Sequence, residues 1–397
     1  MVTHALRSAP SSVPVFAERL FGPLPRADQR RWAEVYLQSL LTTPGKKSVR
    51  RLAATVSDSP TASQSLHQFI NASPWDWMPV RRELTHWVEQ RLTPRAWVVD
   101  LAVIRKRGEH SCGVHRRFVP STGRSVTCQV GIGAFLAAPG AAVPVDWRLL
   151  LSGPWTRDAA LRSRTRIPEH VGPRTVEQHV LSLVDALTGV SRHPSVPIVA
   201  DLSTTPGAPA LIRGLALRNR DFLVAVPDGI TISLGHHLRV HHRHSAEHRA
   251  PTLTGRSLFA GEPDDRTRIV TVPPAPGRAR SLTVLTGIVH LPEASAGGSA
   301  PRTYRMLATH PGAGRSPSRL WLTNLTHARM ADLVELTRLF SGTAGSIREM
   351  ERDFGLLDFE GRSYPGWHHH MTLASAAHAF SRLHHRGVPQ ERALVSA

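Results

Sequence analysis

The hydrophobic period of this chain changes near Leu92, and that change commits it to a helical segment followed by an α/β body. From Val15 to Leu92 apolar residues recur at helical spacing, most clearly over 30–41 and 75–92. Pro44-Gly45 and the stretch 57–60 cut this pattern into short helices. Beyond it come short runs of β-branched and apolar residues at 97–104, 113–119 and 125–136, with Pro120-Ser121-Thr122-Gly123 as the clearest turn. These three runs predict an antiparallel meander. Helical spacing over 174–187, an apolar run at 197–200, a helix over 210–219 and a strand over 222–226 come next.

A three-stranded meander followed by alternating helix and strand is the order of a ribonuclease H-like α/β fold. The stretch 227–318 is rich in Pro, Gly, His and Arg and holds strand-like runs at 269–272, 281–291 and 304–307. It reads as an inserted β-rich subdomain. A strand over 319–325 and helices over 328–340, 346–354 and 371–383 return to the body. With 397 residues the chain exceeds one ordinary core. The expected division is an all-helical domain at 1–92, a ribonuclease H-like core at 93–227 and 319–385, the insertion at 228–318, and a tail at 386–397.

Charge narrows the partners. Lys and Arg number 49 against 30 Asp and Glu, a formal net charge of +19. Such a surplus attracts polyanions and makes binding depend on salt. The expected partner is nucleic acid, because the chain has no apolar run long enough to span a bilayer. The first residues lack the apolar centre of a signal peptide, which predicts a cytoplasmic, nucleoid-associated protein. Two cysteines, Cys112 and Cys128, exclude a disulfide framework and an all-cysteine zinc site. Lys46, Lys47, Arg50 and Arg51 open a short helix that reads as the first half of a helix-turn-helix, and are expected to meet a DNA backbone. Arginines also crowd 157–166 and 315–319. The histidines between His236 and His248 lack the spacing of a metal motif and read as a basic loop.

Asp100 closes the run Trp97-Val98-Val99, and Asp201 closes Ile198-Val199-Ala200. Carboxylates at strand ends are what two-metal phosphodiester chemistry needs, although an aspartate there also serves as a turn residue. The surrounding words carry more. Residues 106–114 read K-R-G-E-H-S-C-G-V, 127–130 read T-C-Q-V, 145–149 read V-D-W-R-L, 199–201 read V-A-D, and 322–325 read L-T-N-L. Residues 359–370 read F-E-G-R-S-Y-P-G-W-H-H-H. In this order the words resemble those of insertion-sequence transposases with a DDE catalytic core, from about residue 16 to 385.

That resemblance implies metal-binding and catalytic roles for Asp100 and Asp201, with Mg²⁺ or Mn²⁺ between them, and a DNA path past Lys106 and Arg107. It implies double-stranded transposon ends as the partner and a homodimer, at least on DNA. The family's third acid lies in a pattern R-W-R-I-E-x-x-Y-R-E-M-K. Here the same stretch reads F-S-G-T-A-G-S-I-R-E-M-E over 340–351, so the glutamate falls on Ala344. The expectation is a transposase-like DNA-binding protein defective in cleavage and strand transfer. The alternatives are an active transposase with a noncanonical third ligand, and a repurposed regulatory or protein-interaction module. Glu349, five residues on, is rotated about 140° from Ala344 on an ideal helix and points elsewhere.

Overall fold

A computed structural model describes residues 12–119, 123–234, 252–260, 267–272, 280–292, 302–310 and 319–385. Pro120, Ser121 and Thr122 of the expected turn, the histidines from His236 to His248, the arginine-rich residues 315–318 and the tail 386–397 lie outside the described residues. The described residues hold eleven α-helices and twelve strands, a mixed α/β arrangement consistent with a ribonuclease H-like fold. The chain divides into two compact units, residues 1–194 with 341–397, and residues 195–340.

The first unit opens with five helices: α1 (Val13–Phe21), α2 (Ala27–Thr42), α3 (Val49–Val56), α4 (Ala62–Asn71) and α5 (Trp77–Glu89). The Asp76 carboxylate caps α5 by accepting the Met78 N–H. Four strands follow: β1 (Ala96–Arg105), β2 (His115–Val119), β3 (Arg124–Ala138) and β4 (Ala141–Leu149). The meander differs from expectation in its members. β3 is the common partner, taking β1 along Cys128–Ala137, β2 along Arg124–Cys128, and β4 along Gly131–Ala138, all antiparallel. The chain-order meander is therefore β1, β3, β4, and β2 is a short arm on the leading end of β3. Helices α6 (Pro154–Arg157), α7 (Ala159–Thr165) and α8 (Val176–Thr188) complete this part.

In the second unit β5 (Ile198–Asp201) and β6 (Phe222–Val226) run parallel and are joined by α9 (Ala208–Leu217). β12 (Leu320–Thr323) lies antiparallel to β6, where the Asn324 side-chain oxygen accepts the Phe222 N–H at 2.9 Å. Outward from β12 come β11 (Thr303–His310), β10 (Arg280–His290), β7 (Thr231–Leu234) and β8 (Thr252–Thr254), with β9 (Thr267–Val272) also on β10.

The sequence pattern predicts two helices between 328 and 354, but one helix, α10 (Met330–Asp353), runs unbroken through Gly342 and Gly345. Each glycine costs a helix about 1 kcal/mol relative to alanine. Burial of Thr343, Ile347 and Met350, one turn apart on a single face, supplies the compensating packing.

The last helix, α11 (Tyr364–Leu383), is buried over almost its whole length and packs on β4, α2, α4 and α5. Its start explains the word at 359–370. Ser363 caps it by accepting the Gly366 N–H at 3.1 Å. A Cβ on Gly361 would lie 1.9 Å from the Asn71 side-chain oxygen, so only glycine lets α4 approach this close. No helix among the described residues is long and apolar enough to cross a membrane.

Candidate active site and nucleic-acid surface

Asp100 sits opposite Gly133 in the β1–β3 register, half-buried after fully buried Trp97, Val98 and Val99. One carboxylate oxygen accepts the Leu101 N–H at 2.7 Å, and the other accepts the Thr343 hydroxyl at 2.6 Å. Thr343 is fully buried on α10, whereas its neighbour Ala344 is partly exposed. The α10 side chain that meets Asp100 is therefore a hydroxyl donor, one position before the residue to which the sequence pattern assigns the third acid. One turn on, Ser346 donates to the Ala142 carbonyl at 2.6 Å.

Glu349 has other partners. Its carboxylate faces His378 Nε2 at 3.2 Å and an Arg382 guanidinium nitrogen at 3.5 Å. The hydrogen bond from His378 and the nearby Arg382 charge hold its pKa below the usual carboxylate value, against the effect of burial.

Asp201 ends β5 in the second unit. One oxygen accepts the Ser203 N–H at 2.8 Å, closing a local turn, and the other lies 3.1 Å from an Arg319 guanidinium nitrogen. Arg319 also lies over the Trp321 and Phe340 rings, at 5.8 and 5.5 Å from their centroids. Neither Thr343 nor Arg319 carries a local sequence signal for its contact with an acid. Both pairings bridge more than a hundred residues, beyond any local pattern. Among the described residues no three His, Cys, Asp or Glu gather as a metal-binding group.

The cations expected to meet DNA separate into two kinds. Lys46 is exposed and 3.4 Å from Glu360, Arg50 is exposed, and exposed Arg51 donates to the Pro44 carbonyl at 3.1 Å. Arg107 is also exposed. Lys47 departs from the expectation: it is 4 % exposed, its ammonium donates to the Thr43 carbonyl, and its N–H donates to Asp358 at 2.7 Å. Its place after Pro44-Gly45 turns it inward, where it fastens the entry to α3. Lys106 is half-buried and donates to the Phe359 carbonyl at 2.7 Å; burial pushes its pKa down to about 8.

The three histidines that open α11 are structural. His368 stacks on Trp77 with centroids 4.5 Å apart, and its Nδ1 faces an Arg81 guanidinium nitrogen at 3.2 Å. His369 stacks on Trp75 at 3.9 Å, and its ring nitrogens face the Ile70 and Trp75 carbonyls, each at 2.9 Å. His370 Nδ1 accepts the Tyr36 hydroxyl at 3.0 Å, and Nε2–H donates to the Gly355 carbonyl at 2.8 Å. Burial pushes the pKa of His369 and His370 down to about 4.

Arg81 completes this structure. It donates to Asp146 and the Trp147 carbonyl on β4, and to Thr372 and the His368 carbonyl on α11. Burial pushes Asp146 up, but Arg148 and Arg81 outweigh it and keep the carboxyl below its usual pKa.

The chain matches the family described as DDE superfamily endonuclease over residues 19–282. None of the curated proteins compared with it matches.

Proposed function

Because the chain belongs to the DDE superfamily endonucleases, we propose that it is a transposase-like DNA-binding protein that has lost efficient DNA cleavage and strand transfer. The observation that carries this reading is the Thr343 hydroxyl on Asp100, together with an alanine at the next position of the same helix. DDE endonucleases generally use divalent metals such as Mg²⁺ or Mn²⁺. In that chemistry Asp100 and Asp201 would be the ligands contributed by this chain. The donors present do not fit a complete two-metal centre: each aspartate has a partner within its own unit, and Thr343 and Ala344 carry no carboxylate. Pairing of Glu349 with His378 and Arg382 argues against its serving as a substitute third ligand.

The DNA partner is double-stranded, and Lys46, Arg50, Arg51 and Arg107 are the residues we assign to its backbone. In this reading residues 1–92 form a DNA-binding helical domain, 93–227 with 319–385 the ribonuclease H-like core, and 228–318 the insertion. The protein acts in the cytoplasm, at the nucleoid, and dimerises on DNA.

The test is a nicking assay on DNA with Mg²⁺ or Mn²⁺, comparing the natural chain with Ala344→Glu. The natural chain leaves the DNA intact. Metal-dependent nicking by the natural chain, abolished by Asp201→Ala, would overturn the proposal. Nicking gained by Ala344→Glu would show that the rest of the centre is intact.

A further inference from the structure

The leading end of β3 stands apart from the rest of its sheet. β1 reaches β3 only as far as Cys128, so residues 124–126 pair with β2 alone and form a two-stranded ribbon. Strand alternation fixes its two faces. Arg116 pairs with Thr127 and Phe118 with Ser125, which puts these four side chains on one face. Arg116, Phe118 and Ser125 are exposed. Phe118 is 59 % exposed and is the one aromatic among the exposed large hydrophobic residues of the described chain. Arg117 and Arg124 lie on the opposite face.

Charge and a cavity lie close to this face. Residues 105–127 contain six Lys or Arg and a single acid, Glu109. At the foot of the ribbon is a partly open cavity of about 310 Å³, lined by Glu109, His115, Arg116, Thr127 and Trp155 among others. Its size is at the lower end of small-molecule sites, roughly 300 Å³ upward. Trp155 is 3 % exposed, and its indole N–H donates to the Val114 carbonyl at 2.7 Å, which fixes the ring in the cavity wall.

We propose that this ribbon binds an unpaired stretch of DNA on the face that carries Phe118, with Phe118 stacking on one base, Arg116 beside it on a phosphate, and the cavity beside Trp155 receiving an adjacent base. The proposal rests on the DNA-binding reading above and adds the location and the form of the DNA. Paired bases offer a protein their edges and the backbone, whereas an exposed phenyl ring needs an open base face to stack on. A basic ribbon with one projecting aromatic ring supplies both interactions that single-strand binding uses: charge along the backbone and a platform for the bases.

The test is fluorescence anisotropy of the full chain with a labelled single-stranded oligonucleotide and the corresponding blunt duplex, across a salt series. Phe118→Ala weakens single-strand binding about tenfold, within the range for removal of one base–aromatic stack, and leaves duplex binding nearly unchanged. Arg116→Gln lowers the single-strand salt slope by about 0.7, the value for one phosphate no longer neutralised, whereas Arg124→Gln on the opposite face lowers it less. A 2-aminopurine in the oligonucleotide is quenched by the natural chain and less so by Phe118→Ala. The melting temperature of Phe118→Ala matches that of the natural chain, since the side chain is exposed. Equal weakening on both probes, or none on the single strand, overturns the ribbon proposal while leaving DNA binding in place. Absence of binding by the natural chain to either probe at low salt overturns both.

Discussion

Replacing Asp146 by asparagine tests the joint between the helical segment and the sheet of the first unit. Arg81 is 2 % exposed and Asp146 4 % exposed, and a single Asp146 oxygen accepts from Arg81, Arg148 and the Trp147 N–H, each at 2.7 Å. Asp146→Asn keeps nearly the same side-chain shape but removes the negative charge that Arg81 is bonded to. Burial already pushes the Arg81 pKa down to about 10 with the carboxylate in place. Leaving a buried charge without its partner costs about 3–5 kcal/mol. For a unit of this size that is a fall in melting temperature on the order of 10 °C. The assay is thermal and urea unfolding of Asp146→Asn, with Glu360→Gln, which loosens an exposed pair to Lys46, as a control that leaves the midpoint unchanged. In a double-mutant cycle with Arg81→Met the two destabilisations are strongly non-additive, because without the cation the missing anion matters less. A destabilisation under about 1 kcal/mol for Asp146→Asn, or simple additivity in the cycle, refutes the reasoning.

Two further outcomes follow from particular contacts. Gly342 and Gly345 lie inside α10, and a Cβ on either would meet nothing within 4 Å outside the helix's own local backbone, so Gly342→Ala and Gly345→Ala each stabilise by about 1 kcal/mol in urea unfolding. A neutral or destabilising result would mean that α10 is not continuous there. The pKa of His370 is pushed by burial from 6.5 down to about 4, so between those values the unfolded chain binds the proton and the folded chain does not. Its contribution is complete above pH 6.5 and is lost as pH falls toward 4, at roughly 1 kcal/mol per pH unit. His370→Gln therefore flattens the pH dependence of the urea midpoint over that window while lowering stability at pH 7. An unchanged slope would mean that the ring is not held neutral.

Where the sequence is legible, one local pattern decides the element. The run at 222–226 predicts a strand and forms β6 (Phe222–Val226), because five consecutive apolar residues between turn signals have few alternatives. β4 is harder to see because Pro144 interrupts it and has no N–H to give a ladder. The structure accommodates this with a register irregularity: Phe135 pairs with Pro144 and Ala134 with Asp146, leaving Val145 unpaired. The break expected in α10 follows from helix propensity alone, which the buried face of that helix overrides. At the candidate site, a few neighbours place both Asp100 and Asp201 on strands, and Asp201 does end β5. Asp100 falls in the middle of β1 rather than at its end, because the apolar run continues through Ile104. Their contacts with Thr343 and Arg319 are not legible, since each depends on how distant segments pack. Lys47 carries no local mark separating a buried cation from the exposed ones beside it.

The segments that match the transposase words and the segment that departs from them do different physical work. Gly361 admits α4, Ser363 caps α11, and His368, His369 and His370 join α11 to Trp77, Arg81, Trp75 and Tyr36. A change at any of these leaves a clash or an unpaired buried group, with costs of a few kcal/mol. Ala344 carries no such burden: it is partly exposed, and Gly342 and Gly345 beside it face open space. Glutamate has a helix propensity close to that of alanine, so the helix tolerates either residue at 344. Alanine and glutamate at 344 are therefore both compatible with this architecture. It also follows that Ala344→Glu perturbs chemistry rather than folding, so a failure of that variant to nick DNA would point to Thr343 on Asp100 and Arg319 on Asp201 as the next obstacles.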